Sequence, residues 1–188
     1  NALLRSDKLV SKNGELWFDM GKKKAGESVL SFDILGGDML FVDRFTYNFR
    51  KPKAGEPFVF RTSMCEGITQ QNGGIPDDKY YIKRIAGVGG DELKVENFAL
   101  YRNGSPAAGA EAFKMNAGRE GEYCGYRNEG AFSGGKSVKV PAHSYYALGD
   151  NSANSLDSRY WGRVPEKAVV GRPLVVFYPF TQRWGSAK

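Results

Sequence analysis

Short runs of β-branched and aromatic residues, each closed by Gly, Asn-Gly or Pro, recur along most of this chain. Residues 9–18 contain Asn13-Gly14, whose tolerance of positive φ suits a two-residue hairpin turn between Leu9-Val10 and Leu16-Trp17-Phe18. Lys22-Lys23-Lys24-Ala25-Gly26 then reads as an exposed connector. Strands are predicted at 39–42, after Gly36-Gly37-Asp38, and at 57–60, after Pro52-Lys53-Ala54-Gly55, because turn residues bracket each apolar run. Residues 62–79 predict a loop. The next strand spans 80–88, and a Gly-rich turn separates it from 92–96, whose period-two alternation makes one face wet. A further strand at 99–102 runs into Asn103-Gly104. Residues 105–136 are rich in Gly, Ala and charge with little periodicity and read as an insertion. Later strands fall at 137–141, 145–148, 168–170 and 173–178, followed by an exposed aromatic tail with Phe180 and Trp184. The fold class this predicts is mostly β, as antiparallel sheets or a small β barrel with an inserted irregular subdomain. Its organisation is a connector with a hairpin over 1–35, a core β domain from 36–102 and 137–188, and an inserted subdomain over 103–136.

Composition narrows the chemistry. With 188 residues, 41% of them apolar and 13% aromatic, the chain can bury a core in one or two units. Its 24 Gly and 8 Pro follow no period, which excludes a collagen-like rod and makes an all-helical bundle a poor reading. One histidine and two cysteines cannot assemble a multi-His or Cys-rich zinc set, so neither metal nor cofactor is expected. Cys65 and Cys124 could form one disulfide or stay as unpaired small residues. No run approaches the ~18 apolar residues of a membrane-spanning helix. The start at Asn1, without Met or an apolar signal segment, reads as a fragment of something longer. The net charge of +6 permits attraction to phosphate, although such a modest surplus is more often only an ordinary solvated surface.

Several familiar sites can be set aside. His143 lies in Val140-Pro141-Ala142-His143-Ser144 and there is no Gly-x-Ser-x-Gly elbow, so a turn or surface histidine is the better reading than a triad base. Gly87-Val88-Gly89-Gly90 lacks the Gly-Lys-Ser/Thr ending of a phosphate loop and reads as a turn. Asp150, Ser152 and Asn154 alternate as at the start of a calcium loop. Ser155 replaces its glycine and Trp161 its closing glutamate, so calcium is rejected.

Two segments carry more. Lys83 lies in a strand between Tyr81, Ile82 and Ile85, where burial would disfavour the ammonium and leave an amine able to take a proton from a serine hydroxyl. Alternation puts Tyr81, Lys83 and Ile85 on one face and Ile82 with Arg84 on the other, so one basic residue turns inward unless both snorkel to solvent. Residues 149–162 pack hydroxyl, carboxylate, amide and guanidinium groups into one loop. There Asp157 and Arg159 are spaced for an ion pair and a serine can orient a neighbouring amine, although a self-capped turn has the same composition.

Together these segments resemble bacterial type I signal peptidase, the membrane-bound Ser-Lys endopeptidase that removes signal peptides. Tyr81-Ile82-Lys83-Arg84-Ile85-Ala86-Gly87-Val88-Gly89-Gly90-Asp91 resembles its lysine box. Gly149-Asp150-Asn151 with Ser155-x-Asp157-Ser158-Arg159-Tyr160-Trp161-Gly162 resembles its Gly-Asp-Asn...Ser-x-Asp-Ser-Arg-x-Trp-Gly box. The likeness covers 36–102 and 137–178 in the family's order, and it implies the signal-peptidase type of β fold. It also implies Lys83 as general base, Ser155 hydrogen-bonding its amine, Asp157 and Arg159 holding the loop, and Asp150 in a structural role. Tyr81 and Ile82 would lie beside an extended substrate, the signal peptide of a preprotein.

The chain departs from the family at the nucleophile. Where a Ser-Met-x-Pro segment is expected it reads Ser28-Val29-Leu30-Ser31-Phe32-Asp33, and an ungapped count puts Val29 at the serine position. Ser63-Met64 copies two letters of the motif in the wrong place. Ser152 stands where the family usually carries arginine. The expectation is an extracytoplasmic fragment of an inner-membrane enzyme whose nucleophilic serine lies upstream, inactive as it stands. An inactive peptide-binding scaffold is the alternative. A membrane lipid surface is the expected partner beside the signal peptide, with Phe41, Phe45, Phe49, Phe180 and Trp184 in the headgroup region. Nucleic acid is not expected, because the two boxes have no place in that account.

Overall fold

The computed structural model describes residues 9–12, 15–18, 39–178 and 185–186. The chain divides into a unit over 1–37 and a unit over 38–188. In the first, β1 (Leu9–Lys12) and β2 (Glu15–Phe18) form an antiparallel hairpin with Leu9 opposite Phe18. The turn residues Asn13-Gly14, the lysine connector and residues 28–33 lie outside the described residues, as do Phe180 and Trp184.

The second unit is built from two antiparallel sheets, so the structure is mostly β, as the sequence predicts. The larger uses β3 (Met39–Asp43), β4 (Pro57–Arg61), β5 (Tyr80–Val88), β10 (Ser144–Leu148), β11 (Val164–Pro165), β12 (Val169–Tyr178) and β13 (Gly185–Ser186). The order is β11-β10-β5-β4-β12-β13, with β3 also paired to β12. The smaller has the order β8-β7-β6-β9, from β6 (Glu92–Glu96), β7 (Ala99–Arg102), β8 (Ser105–Pro106) and β9 (Val138–Lys139). In β6, Leu93 and Val95 are buried while Glu92 and Glu96 are exposed, which is the wet face predicted from alternation.

β5 and β10 separate two cores. Ile85, Tyr145 and Ala147 face one side with Phe58, Phe60, Cys65, Trp161 and Val164. Ala86, Tyr146 and Leu148 face the other with Leu93, Leu100, Phe113, Tyr126 and Phe132. Because β5 is covered on both faces from Arg84 to Gly87, its alternation of buried and exposed residues disappears there. Removing each of these large side chains from water contributes about 1.5–3 kcal/mol.

Three expectations change. Residues 62–79 contain a helix, α1 (Glu66–Gln71), in place of a continuous loop. Tertiary packing produces it, since Ile68 is buried in the first core and Gly67 lies against the Trp161 carbonyl, where a Cβ would come within 1.8 Å. The irregular segment 105–136 holds α2 (Glu111–Gly118), which buries Ala112, Phe113 and Asn116. The segments predicted separately at 168–170 and 173–178 are one strand, β12, whose register shifts between Pro173 and Val175. Proline has no N–H for the ladder, and a bulge accommodates it. Cys65 is buried and Cys124 exposed, and both are free. Among the described residues no helix is long and apolar enough to cross a membrane.

Candidate active site

The site forms where β5 leaves the cover of β10. β10 pairs with β5 from Tyr145 opposite Val88 to Leu148 opposite Arg84, and then turns away into the loop 149–157. On its other side β5 stays paired to β4 as far as Tyr80, opposite Arg61. The Lys83 side chain emerges at this junction, and the loop folds back over it.

Lys83 Nζ lies 2.8 Å from Ser155 Oγ, and Ser155 is only 9% exposed. Glycine at 149 makes the contact possible. A Cβ there would stand 2.1 Å from Ser155 Oγ and 3.6 Å from Lys83 Nζ. Burial pushes the Lys83 ammonium below the ordinary lysine range; Arg159 adds to the shift, while Asp157 and Asp150 oppose it.

The loop is held by one fully buried ion pair. Asp157 is 0% exposed and Arg159 2% exposed, with Arg159 Nε donating to Asp157 Oδ1 at 2.8 Å and Nη2 to Oδ2 at 2.9 Å. Asp157 also accepts from the Gly149 amide at 3.0 Å and caps α3 (Ser158–Trp161) through the Arg159 amide. Arg159 Nη2 donates to Ser152 O and Ser155 O, so both ends of the loop are tied to one guanidinium. The Ser158 hydroxyl accepts from the Ala147 amide at 2.9 Å.

Asp150 belongs to a second pair. Arg84 donates to it through Nε and Nη2, both at 2.7 Å, and through Nη1 to Gly55 O at 2.8 Å. Both basic residues of the Lys83-Arg84 pair therefore turn inward, on opposite faces of β5, rather than one turning in and the other reaching solvent. The Asp150 carboxylate is engaged by Arg84. Among the described residues no group of three or more His, Cys, Asp or Glu is placed to hold a metal. His143 is exposed at positive φ, with Nδ1 3.2 Å from Glu166 Oε2.

Ile82 is 38% exposed and Tyr81 is half-buried, its ring edge-on to Phe60 with centroids 6.1 Å apart. Ladder bonds from Thr62 N to Lys79 O and from Ile85 N to Glu56 O set the phase of the β4 pairing. Lys79, Tyr81, Lys83 and Ile85 thus direct their backbone groups to β4, while Tyr80 and Ile82 direct theirs to the opposite edge, beyond the end of β10.

Chemically, the arrangement offers a poorly solvated amine that, once deprotonated, can accept a proton from a hydroxyl brought within about 2.6–3.2 Å. Sequence reasoning brings Lys83, Ser155, Asp157, Arg159 and Asp150 together, and the structure holds them in one network. It missed the residues of 103–136 that grip the loop from behind: Asn116, Gly125, Glu129 and Gly130. The one available signal was an Asn within the Ala112-Phe113-x-x-Asn116 spacing of an apolar helical face.

A family model described as "Signal peptidase, peptidase S26" matches residues 26–178. The chain is 33% identical over 142 residues to Signal peptidase I of Leptolyngbya laminosa, an alignment covering 76% of this chain and 61% of that protein. It is 35% identical over 131 residues to Signal peptidase I of Bacillus licheniformis, covering 66% of this chain and 68% of that one. The chain thus spans about three fifths of the length of the first of these relatives. A solved signal peptidase I from Enterococcus faecalis superposes with a TM-score of 0.46 at 22% identity, over 65% of this chain and 97% of that one. With four fifths of its length matched by the family model, this chain belongs to the signal peptidase family, peptidase S26.

Proposed function

We propose that this chain carries the base half of a Ser-Lys endopeptidase that removes signal peptides from exported preproteins at the extracytoplasmic face of the cytoplasmic membrane. Lys83 is the general base, Ser155 orients its amine, and the Asp157 and Arg159 pair holds the loop. Asp150 fixes Arg84 beside the base. The observation that carries this reading is the 2.8 Å contact between Lys83 Nζ and Ser155 Oγ in a site where burial favours the neutral amine. The nucleophilic hydroxyl comes from a Ser-Met-x-Pro segment preceding Asn1, since Ser28 to Asp33 does not spell that motif.

In the reaction, the serine hydroxyl gives its proton to Lys83 as its oxygen attacks the scissile carbonyl, and the resulting ammonium returns the proton to the departing amine. Acyl transfer to water repeats the sequence with water as nucleophile. Ser155 cannot replace the nucleophile while its oxygen accepts from the amine and is enclosed between Gly149 and Lys83.

Substrate would lie extended along the open edge of β5, pairing with the backbone of Ile82 and Tyr80, with Ile82 and Tyr81 beside the cleavage-site residues. A lipid surface is the natural setting. Phe41, Phe45 and Phe49 are 62%, 70% and 75% exposed, and Arg44 and Lys51 flank them in sequence. Cleavage of a preprotein by the full-length gene product, compared with its Lys83→Ala variant, tests the assignment. Loss of cleavage is expected, and full activity without Lys83 would overturn it.

A further inference from the structure

The inserted segment 103–136 reaches the back of the candidate active-site loop at four points. Asn116 Nδ2 donates to Asp150 O at 2.9 Å, and the Ser152 hydroxyl donates to Gly125 O. Tyr160 donates its hydroxyl to Glu129 Oε2 at 2.8 Å, and Gly130 packs so closely that a Cβ there would stand 2.1 Å from Arg159 O. Glu129 and Tyr160 form the outer, solvent-exposed tie, while Asn116 and Ser152 form inner ones.

Asn116 is the unusual member. It is 0% exposed in α2, among Ala112 and Phe113, where an apolar residue would pack without leaving Oδ1 unpartnered. Its amide is shared between Ala112 O, four residues back in the same helix, and Asp150 O. A buried amide in mid-helix with half of its hydrogen-bonding capacity unused is costly. What the cost secures is the height of residue 150. Asp150 clamps Arg84, the neighbour of Lys83 on β5, and the adjoining Gly149 is the residue against which Ser155 approaches the amine.

We propose that Asn116 is a positioning residue, through which the inserted segment sets the placement of the 149–159 loop and hence the contact between Ser155 and Lys83. The inference rests on the reading of Lys83 as the base. It gives the insertion a share in catalysis without contact with substrate. Ser152 takes part in the same brace, in the place where the family usually carries arginine.

The test compares the parent with Asn116→Leu and Asn116→Met, both close to asparagine in size, uncharged and unable to donate. Leu100→Ala, on β7 in the same core, serves as a control for general destabilisation. The readout is the titration of the Lys83 amine, followed by its acylation rate against pH with peptide mapping, beside thermal melting. Charges acting on that amine are Asp157, Arg159 and Asp150, and all three are retained in every variant. A displaced loop admits water to the amine, so its midpoint is expected to rise by roughly one pH unit in both Asn116 variants. It should stay in place in Leu100→Ala at equal loss of melting temperature. In the full-length protein, kcat is expected to fall by about tenfold with KM unchanged.

An unmoved midpoint in a folded Asn116 variant, or an equal shift in Leu100→Ala, overturns the proposal. If one Asn116 variant fails to fold, the other decides. Failure of the peptidase reading looks different: Lys83→Ala would keep its cleavage activity, while the amine titration would still report on Asn116.

Discussion

Lys83 and Ser155, 72 positions apart in the chain, meet at 2.8 Å, and Gly149 permits it by having no Cβ where Ser155 Oγ sits. The contact joins a residue near the end of the covered part of β5 to a loop that begins where β10 stops. Because the amine is poorly solvated, its protonation is the quantity on which both activity and stability turn.

Cleavage should therefore rise with pH through a lysine midpoint set below 10.5, by about tenfold per unit on the acidic side, since only the neutral amine accepts a proton. Stability follows the same group. Between the depressed folded value and 10.5 the unfolded chain holds a proton that the folded chain has released. The unfolded state then binds more protons, and stability rises with pH across that window. Urea unfolding of the parent and of Lys83→Met at several pH values checks this. The parent should gain stability relative to the variant as pH rises, and parallel curves would contradict it.

Gly149→Ala should damage the site with little damage to the fold. An added Cβ meets Ser155 Oγ at 2.1 Å and Ser155 Cβ at 2.4 Å, so the loop must move off the amine. We expect kcat to fall about 10–100-fold, the range seen when a supporting contact of a reactive group is lost. Ser155→Gly removes both clashing atoms. The double variant Gly149→Ala with Ser155→Gly should therefore be no worse than Ser155→Gly alone, and a double-mutant cycle in kcat should show this coupling. Simple additivity of the two effects would contradict the packing described.

Asp157→Ala leaves the Arg159 guanidinium 2% exposed with its carboxylate partner gone. Breaking a buried pair from one side costs about 3–5 kcal/mol, a large share of the stability of a domain this size. Denaturant unfolding of the variant should register that loss. A change below about 1 kcal/mol would mean that water reaches Arg159 without rearrangement of the loop.

Much of the candidate site was legible along the chain, because its residues lie in two short segments, a basic pair in an apolar strand and one polar loop. Lys83 beside Ile82 and Ile85, and the 149–162 loop with its Asp157 and Arg159 spacing, stand out whatever the tertiary structure. Elements that depend on distant partners were not legible. α1 forms where its Ile68 meets the first core and its Gly67 meets Trp161, contacts that no local pattern announces. α2 shows little helical periodicity because only Ala112, Phe113 and Asn116 are buried, one of them polar. The inward turn of Arg84 was hidden by alternation, which holds only while one face of a strand is open. Beyond Lys83, β5 gains β10 as a neighbour and both faces close.

The exposed pair of Phe45 and Phe49 should bind lipid. Phe45 and Phe49 lie with ring centroids 4.8 Å apart and each is more than two thirds exposed, a pair that water solvates poorly. Partial burial of such rings in headgroups is worth about 1–3 kcal/mol each, and anionic lipid adds attraction for the neighbouring basic residues. Flotation with vesicles containing anionic lipid should carry the chain upward, and Phe45→Ser with Phe49→Ser should reduce the floated fraction severalfold. Equal flotation of parent and double variant would rule this pair out as the contact.

Ile82 offers a test of substrate placement that separates the open edge of β5 from its paired one. Its N–H and C=O point away from β4, since the ladder bonds at Lys79 and Ile85 give the β4 phase to the odd-numbered residues. Proline at 82 removes a donor from the open edge and none from the β4 ladder, and its neighbour Tyr81 is already extended, as a residue before proline must be. Proline at 81 removes a ladder donor instead. Ile82→Pro should therefore keep most of the melting temperature while kcat/KM for a preprotein falls about fivefold or more, the worth of one backbone hydrogen bond. Tyr81→Pro should lose the fold along with the activity. If Ile82→Pro cleaves as well as the parent, the substrate does not pair with this edge, and its extended backbone must be held by some other strand.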